Sequence, residues 1–412
     1  MSVGVPGDMP PSVDHPAYPP PATAYSPPVT PPAWTRAAVP TTRSAAGRRI
    51  LTGLVVAGFL LASAALLWVF NVDLGWRTAS FMAAVSAVPL LVVVPLYRWV
   101  DQLEAEPARY LWFAFLWGAL CAPLGALLLN TAFHTMLLMS GVSNPDSAAA
   151  VLSAPPVEEG LKGLAVLLLL LVRRREFDGV IDGIVYAGMA GAGFAFSENI
   201  LYLGHAYAEY GNEGLGATFI LRCLMAPFAH PLFTACIGIG LGLAASVART
   251  VWGKFGYAAL GYACAMLLHA VWNLSATLDA YFEVYLIVQV PLFIGFLALL
   301  FLLKRREGET IRRQLTAYAD HGWFTYPEVA MLASVPARRQ AKQWAHAWIG
   351  ERGERAMEAF QSQASDLALL RQRMTRQAAE PDAVIREQEL LEAIAAHRAE
   401  LLAAAHTPTL GR

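Results

Sequence analysis

Eight side chains able to do acid, base or metal chemistry lie in four consecutive apolar stretches of this sequence. They are, in chain order, Glu158, Glu159, Lys162, Glu198, Asn199, His230, His269 and Asn273. An ionised side chain costs about 2.5–3.5 kcal/mol at the middle of a membrane helix, so such residues within apolar stretches are candidates for function. Together they predict one polar site enclosed by apolar helices.

The spacing within two of these stretches favours side chains that act together. On a helix, Lys162 lies four residues from Glu158 and three from Glu159, so it can contact both carboxylates. We expect Lys162 to keep one glutamate ionised and to leave the other free to titrate. His269 and Asn273 are also four residues apart and share a helix face.

Two chemistries fit this set of residues, and the spacing leaves both open. In the first, Glu198, His230 and His269 bind a divalent metal, with zinc as one candidate, and the metal activates a water for which Glu158 and Glu159 supply the general base and its partner. In the second, a buried glutamate takes a proton from water without a metal, and histidine and asparagine side chains stabilise the oxyanion. Both chemistries hydrolyse an amide or an ester.

Each residue also has a purely structural interpretation. Pro155-Pro156 is typical of a helix start, where the following glutamates would favour the helix dipole. His230 beside Pro231 could bind a carbonyl that the proline leaves free, and His269 with Asn273 could join two helices. All of these interpretations would have to hold at once to remove the site.

Composition indicates that the helices around these residues lie in a membrane. Of 412 residues, 56% are hydrophobic and 15% are charged, with a mean hydropathy of +0.45. An ordinary soluble enzyme has about a quarter of its residues charged, so that class is excluded. The net charge of −1 gives no general attraction to nucleic acid.

The middle of the chain, residues 50–303, is predicted to form an all-α, polytopic membrane bundle of about eight transmembrane helices. Its apolar stretches approach or exceed the roughly 20 residues needed to cross a bilayer. We expect spans at about 50–70, 79–97, 110–130, 149–172, 180–203, 218–247, 255–278 and 282–303.

Lysine and arginine residues between the spans predict the orientation of this bundle. If the N-terminus is cytoplasmic, fourteen of them flank the inner ends of the spans, and only Arg77 and Arg222 lie outside. Both termini are therefore expected in the cytoplasm. With a rise of about 1.5 Å per residue, Glu158, Glu198, His230 and His269 lie roughly 13, 8, 18 and 14 Å from the outer ends of their spans. All four depths fall in the outer half of the bilayer, which predicts one shared cavity.

The two ends of the chain have different compositions. Residues 1–49 contain 12 of the 26 prolines and few large apolar residues, so we expect a disordered, Pro-rich cytoplasmic tail. Residues 304–412 have an amphipathic helical pattern, interrupted at Glu380-Pro381-Asp382, and predict a cytoplasmic helical tail containing a helical hairpin. This tail is a candidate surface for a cytoplasmic partner or for self-association.

The order of these motifs resembles that of the PrsW family of intramembrane proteases, within the wider superfamily of CAAX-processing and bacteriocin-processing membrane proteases. The resemblance covers roughly residues 90–303. The residues that carry it are Glu158-Glu159-x-x-Lys162, similar to EExxK; Phe194-x-x-x-Glu198-Asn199, similar to FxxxEN; His230; and His269-x-x-Trp272-Asn273. Asp101 through Pro107 and Asp182 through Tyr186 are also similar to family segments.

The resemblance implies a membrane peptidase, often called a metalloprotease, for which both a metal and a glutamate mechanism are discussed. Founding members act on membrane-bound anti-sigma factors and cut on the extracytoplasmic side, in the first of two cleavages. For this chain it implies a multi-pass protein of a bacterial cell membrane and a membrane-anchored protein substrate. The long tails depart from the short family pattern, which leaves substrate and regulation open.

Two functions from other classes compete with a peptidase. A transporter or metal permease would use the same carboxylates and histidines along a path, but such proteins usually have internal repeats and polar groups on both sides of the midplane. We find no convincing repeat, and the polar groups cluster in one half. A pseudo-enzyme scaffold would instead depend on the tail at residues 304–412.

Overall fold

The computed structural model describes residues 45–174, 177, 179–278, 280–376 and 382–405, and the regular elements among them are all helical. The α-helices are α1 (Ala45–Leu74), α2 (Trp76–Ser86), α3 (Leu90–Val100), α4 (Ala108–Leu116), α5 (Ala122–Met139), α6 (Pro145–Leu152), α7 (Ala154–Val172), α8 (Val180–Thr218), α9 (Ala229–Ser246), α10 (Val251–Thr277), α11 (Tyr281–Val284), α12 (Val290–Ala319), α13 (Tyr326–Leu332), α14 (Val335–Ile349), α15 (Glu351–Thr375) and α16 (Ala383–Ala405). Three π-helical segments connect neighbouring helices: Trp117–Cys121, Phe219–Met225 and Tyr285–Gln289. The predicted all-α fold is confirmed.

Five helical stretches in the described residues are long and apolar enough to cross a membrane, or six if the bent pair α2 and α3 forms one span. The five are Arg49–Leu74, Ala108–Met139, Val180–Ser246, Val251–Thr277 and Tyr281–Ala319. Helix α7 contains three charged residues of the candidate site, which is why composition alone does not select it. Val180–Ser246 is 67 residues long, and we predicted two spans within it. The total of eight spans therefore stays a prediction.

Prolines interrupt two of the predicted spans. The expected span 149–172 is divided at Ser153, and α7 begins with Pro155 and Pro156 in its first turn, where a missing N–H costs nothing. The expected span 218–247 is interrupted before α9, where Ala226 leaves helical geometry because it precedes Pro227. Each break puts a helix N-terminus close to a candidate site residue.

Helix α8 lies at the centre of the bundle and packs against α2, α4, α7 and α9. Glycines permit this close packing at two points. A Cβ atom on Gly118 would lie 1.9 Å from the carbonyl oxygen of Ala190, and one on Gly191 would lie 2.7 Å from the carbonyl oxygen of His230. Both distances are below any tolerable contact, so the backbones approach as closely as they do only because these positions lack side chains.

The π-helical segment Trp117–Cys121 fixes α7 and α8 beside it. A π-helical turn leaves backbone groups without their usual helical partners. The carbonyl oxygen of Ala119 accepts a 2.5 Å hydrogen bond from Ser197 on α8, and the indole of Trp117 donates to the carbonyl oxygen of Leu161 on α7 at 2.9 Å. Ser197 precedes Glu198, so this bond helps to set where Glu198 lies.

Helices α13–α16 form a bundle with α12, which we call the tail bundle, and its apolar core is separate from that of the membrane bundle. Helices α15 and α16 pack against each other as the expected hairpin. Residues 1–44 lie outside the described residues, as do 406–412, so the predicted disorder of residues 1–49 and the division at 49 and 303 stay predictions.

The loop between α3 and α4 connects the tail bundle to the membrane bundle. Leu103 lies in the core of the tail bundle, and its carbonyl oxygen accepts hydrogen bonds from Arg338 at 2.6 Å and Ser365 at 2.7 Å. On the other side, Tyr186 of α8 donates a 2.5 Å hydrogen bond to the carboxylate of Glu106. Burial raises the pKa of Asp101, which begins this loop, to about 8.

Candidate active site

Helices α7, α8, α9 and α10 bring most of the predicted site residues to one open cavity of about 490 Å³. It lies at the end of the bundle where α5 ends, α7 begins and α10 ends, which we call the site end. Its polar lining residues are Asn130, Thr131, His134, Asp146, Glu158, Glu198, Tyr202, Arg222, His230, His269, Asn273 and Thr277. Five of the eight predicted residues thus line the cavity, and Glu159, Lys162 and Asn199 do not.

Glu159 and Lys162 form a fully buried ion pair behind the cavity. Both side chains have no exposed surface, and the Lys162 Nζ atom donates to Glu159 Oε1 at 2.6 Å. Thr234 Oγ1 donates to the other carboxylate oxygen of Glu159 at 2.9 Å. A carboxylate that accepts from this many donors is ionised, so the negative charge of Glu159 lies behind the cavity and not in its lining.

His269 lies between the two glutamates, and its hydrogen bonds fix its tautomer. Its Nδ1 atom is 2.9 Å from Glu159 Oε1, which can only accept, so Nδ1 carries the proton. The lone pair of Nε2 then points toward Glu158, whose Oε2 atom is 3.8 Å away. A histidine oriented by a buried carboxylate, with its second nitrogen free, is the usual arrangement of a metal-binding histidine.

Glu158 lines the cavity and is not among the described hydrogen-bond partners of Lys162, in contrast to the expectation that Lys162 contacts both glutamates. Asn130 Nδ2 donates to Glu158 Oε1 at 3.3 Å, and Ser153 Oγ donates to Asn130 Oδ1 at 2.8 Å. The second oxygen, Oε2, is buried and has no hydrogen-bond partner among the described residues. Because a buried carboxylate oxygen without a partner is costly, this atom needs a ligand or a proton.

Ligand atoms of Glu158, His230 and His269 all lie within 4.8 Å of one another, which is close enough to share one metal ion. Two imidazoles and one carboxylate are a donor set that suits zinc. The unpartnered Oε2 atom of Glu158 is a further oxygen available to a cation. The group therefore accommodates a metal, although its carboxylate is Glu158 and not the predicted Glu198.

His230, at the start of α9, contacts polar groups through both ring nitrogens. Lys162 Nζ lies 3.2 Å from Nδ1, and Glu198 Oε2 lies 2.9 Å from Nε2. Since an ammonium can only donate, Nδ1 accepts and Nε2 carries the proton that bonds Glu198. A metal on Nε2 would need that nitrogen to be unprotonated, so this proton would have to leave Nε2 first.

Glu198 is only partly buried and is held by Arg222. From the sequence, Arg222 was predicted only to flank the outer end of a span. Arg222 Nη2 donates to Glu198 Oε2, and Arg222 Nε donates to Asn199 Oδ1 at 2.8 Å. The guanidinium lies over the ring of Tyr202, 3.8 Å from its centroid. Asn199 thus contacts Arg222 and not the cavity.

Asn273 lines the cavity, and its described hydrogen bond goes to α6 and not to His269. Its Nδ2 atom donates to the carbonyl oxygen of Ala150 at 2.7 Å and so connects α10 to α6. This bond fits the structural interpretation of Asn273 as a link between helices. The amide keeps a second hydrogen that the described bond does not use.

Three residues that position the candidate site were not predicted: Asn130, Arg222 and Thr234. Asn130 and Arg222 are polar residues within apolar stretches, the same signal that identified the other residues. Thr234 carries no such signal, because a threonine bonds its own helix backbone as readily as another side chain.

The family of this chain follows from its sequence relatives. Residues 106–296 match the family model described as PrsW family intramembrane metalloprotease. Protease PrsW of Oceanobacillus iheyensis is 31% identical over 190 residues, which cover 46% of this chain and 82% of that protein. The chain belongs to the PrsW family.

Other PrsW proteins are similar to this chain over the same region. Protease PrsW of Geobacillus kaustophilus is 32% identical over 164 residues, covering 40% of this chain and 66% of that protein. Protease PrsW of Bacillus subtilis is 30% identical over 177 residues, covering 41% of this chain and 74% of that protein. No solved structure matches the chain.

Membership of the PrsW family confirms several predictions. The family consists of membrane peptidases, which are hydrolases and act on protein substrates in the membrane. The description of the family as metalloproteases agrees with a metal at the Glu158, His230 and His269 group, without naming the ion. The transporter alternative is not favoured.

Proposed function

We propose that this protein is an intramembrane metallopeptidase that hydrolyses a peptide bond of a membrane-anchored protein within the cavity of about 490 Å³. One observation carries the proposal: the buried, unpartnered oxygen of Glu158 lies beside the imidazoles of His230 and His269. A buried carboxyl with an unpartnered oxygen is expensive unless that oxygen gains a ligand or a proton, and two adjacent imidazoles make a cation the ligand that fits.

In this proposal Glu158, His230 and His269 hold one divalent metal, with zinc as the candidate that their donor atoms favour. A metal held by these residues would supply Lewis-acid chemistry, namely polarisation of the scissile carbonyl and a lower pKa for a water in the cavity. Glu159 acts through His269 as a positioning residue, because it orients the imidazole from behind and never reaches the cavity. Lys162 balances the charge of Glu159.

Glu198 is the carboxylate that we assign as general base, in place of the glutamates of the Glu158-Glu159 pair. It lines the cavity beside His230 and is free of the proposed metal group. Glu198 takes the proton from the attacking water and returns it to the leaving amine nitrogen as the C–N bond breaks. We assign the unused amide hydrogen of Asn273 to the oxyanion of the tetrahedral intermediate.

We also propose that the site end faces the extracytoplasmic side of a bacterial cell membrane, with both termini in the cytoplasm. The excess of lysine and arginine at the opposite end of the bundle supports this orientation. The accessible substrates are then single-span or anchored proteins, of the kind represented by anti-sigma factors. The tail bundle, on the cytoplasmic side, stays a candidate surface for a partner or for self-association.

Cleavage of a tethered reporter in proteoliposomes tests the proposal. The reporter carries a transmembrane helix and an extracytoplasmic stretch of peptide from a candidate substrate. We expect Glu158→Gln and His269→Ala to reduce cleavage by at least about a thousandfold, because each removes a proposed metal ligand. Glu159→Gln weakens the orientation of His269 and is expected to cost about 10–100-fold.

The matched controls are Glu213→Gln and His321→Ala, which change the same residue types at exposed positions away from the cavity. Both are expected to cleave at the wild-type rate. Undiminished cleavage by Glu158→Gln and His269→Ala would reject the site.

A further inference from the structure

Arg222 lines the cavity and makes three contacts there, but it has no role in the proposed function so far. Its guanidinium donates to Glu198 Oε2 and to Asn199 Oδ1, and it lies over the ring of Tyr202. Its side chain is 19% exposed, close to the 18% of Glu198. An arginine with two directed bonds and a ring beneath it is fixed in orientation, so it also fixes the carboxylate that it binds.

The position of Glu198 poses a question about the metal group. Glu198 Oε2 is only 2.9 Å from His230 Nε2, whereas Glu158 Oε2 is 3.8 Å from His269 Nε2. Distance from the histidines alone would thus make Glu198 a natural ligand, as the sequence predicted. Yet the group of ligand atoms within 4.8 Å contains Glu158 and not Glu198.

Competition for one oxygen atom explains this difference. Oε2 of Glu198 accepts from both Arg222 Nη2 and His230 Nε2. These two bonds use both lone pairs of Oε2, and the charge-assisted bond to the guanidinium holds the carboxylate against the π-helical segment Phe219–Met225, which contains Arg222. Glu158 has no such partner on its free oxygen.

We propose that Arg222 is a positioning residue that keeps Glu198 out of the metal's ligand set and so reserves it for proton transfer. This inference rests on the proposed function. A catalytic metal site needs an open position for water, whereas a fourth protein ligand closes it. Arg222 therefore decides whether this donor set forms a catalytic site or a closed, structural one.

Metal titration of the purified full-length protein in detergent tests the inference without relying on cleavage. Chelator-treated protein is titrated with Zn²⁺, and the visible absorption of Co²⁺ reports the number of ligands. In Arg222→Gln we expect Zn²⁺ to bind on the order of tenfold more tightly, because a released carboxylate adds a charged ligand. The Co²⁺ absorption should change toward that of a site with more ligands, and tethered-reporter cleavage should fall.

A double variant and two controls separate this role from simple damage. Adding Glu198→Gln to Arg222→Gln should return Zn²⁺ affinity and the Co²⁺ spectrum to wild-type values, since the extra ligand is gone. Arg222→Lys, which keeps the charge without the directed fork, should bind with intermediate affinity. Arg77→Gln changes an exposed arginine at the same end of the bundle and should behave as wild type.

The outcomes distinguish this inference from the proposed function. If Arg222→Gln binds Zn²⁺ with wild-type affinity and an unchanged Co²⁺ spectrum, the inference is overturned while the metal site stands. If the double variant keeps the tighter binding, the added ligand is not Glu198 and the inference is also overturned. If the wild-type protein itself binds no metal, the proposed function is overturned and the inference falls with it. Should Arg222→Gln not fold, Arg222→Lys and the double variant, which leaves no unpaired charge, give the same comparison.

Discussion

At the scale of single residues, two neighbouring glutamates have opposite environments. Glu159 accepts from Lys162, Thr234 and His269 and is sealed behind the cavity, whereas Glu158 presents an unpartnered oxygen to it. Successive residues on a helix point about 100° apart, so a pair of adjacent carboxylates naturally serves two sides of the same helix. One carboxylate can then orient a histidine while the other acts beside it.

The loop residue Asp101 gives the protein a measurable pH dependence outside the membrane. Burial raises its pKa from the ordinary 3.8 to about 8, so between these values the folded protein binds a proton that the unfolded chain has lost. Stability should therefore fall as pH rises from about 4 to about 8 and level off above. Asp101→Asn should reduce this slope in melting curves recorded across that range.

The exposed Asp320 of the tail bundle provides the matched control for this experiment. Asp320→Asn should keep the wild-type slope. An Asp101→Asn protein that retains the full pH dependence would show that the loop aspartate is not its source.

Residue types and spacing were enough to predict most residues of the candidate site, but not to assign a role to each residue. Polar residues within membrane helices are costly, which made Glu158, Glu198, His230 and His269 candidates for function. The fold brings these four residues together around one cavity. In our proposal, the choice between Glu158 and Glu198 as metal ligand depends on Arg222, and helical spacing holds no information about a side chain from another element. The tautomers of the histidines depend on such contacts too.

At the scale of elements, the helices that carry the candidate site begin at positions that differ from the predicted ends of the spans. Counting residues from assumed span ends gave depths for each group, yet α7 begins at Ala154 and α9 at Ala229, because prolines end the preceding segments. His230 consequently lies in the first turn of α9, so its depth cannot be counted along one continuous helix. Glu158, Glu198, His230 and His269 still line one cavity, because their proximity depends on contacts between helices and not on where each span ends.

The contact between α8 and the π-helical segment Trp117–Cys121 predicts a severe effect from one methyl group. In Gly118→Ala the added Cβ would lie 1.9 Å from the backbone oxygen of Ala190, and neither backbone can move without separating the helices. We expect a loss of about 3 kcal/mol or more in stability, measured by thermal unfolding in detergent.

Gly58→Ala in α1 is the control, since no atom lies within 4 Å of its Cβ position. It should leave stability unchanged or raise it by about 0.4–1 kcal/mol. Equal melting temperatures for the Gly118 and Gly58 variants would contradict the close packing of α8.

At the scale of the whole molecule, the protein has its candidate site at one end of the bundle and its tail bundle at the other. Composition predicted the membrane region and the helical tail because both depend on averages over many residues. The connection through Leu103 could not be predicted, since a leucine in a short loop has no pattern that indicates which core it enters. Such long-range packing is set by the fold as a whole.

Cysteine labelling in intact cells tests the proposed orientation. In a background lacking the four native cysteines, Ser143→Cys at the site end should react with a membrane-impermeant maleimide. His321→Cys on the tail bundle should react only after the membrane is permeabilised. The reverse pattern would place the site in the cytoplasm and would refute the proposed topology.

The central claim, that Glu158, His230 and His269 form a catalytic metal site, is tested most directly by metal-dependent cleavage. Purified protein in proteoliposomes is treated with a chelator, assayed on the tethered reporter, and assayed again after Zn²⁺ is restored. We predict that cleavage is lost with the chelator, returns with about one Zn²⁺ per chain, and never returns in His269→Ala. Cleavage at an undiminished rate by metal-free protein would contradict the account and favour a glutamate mechanism without a metal.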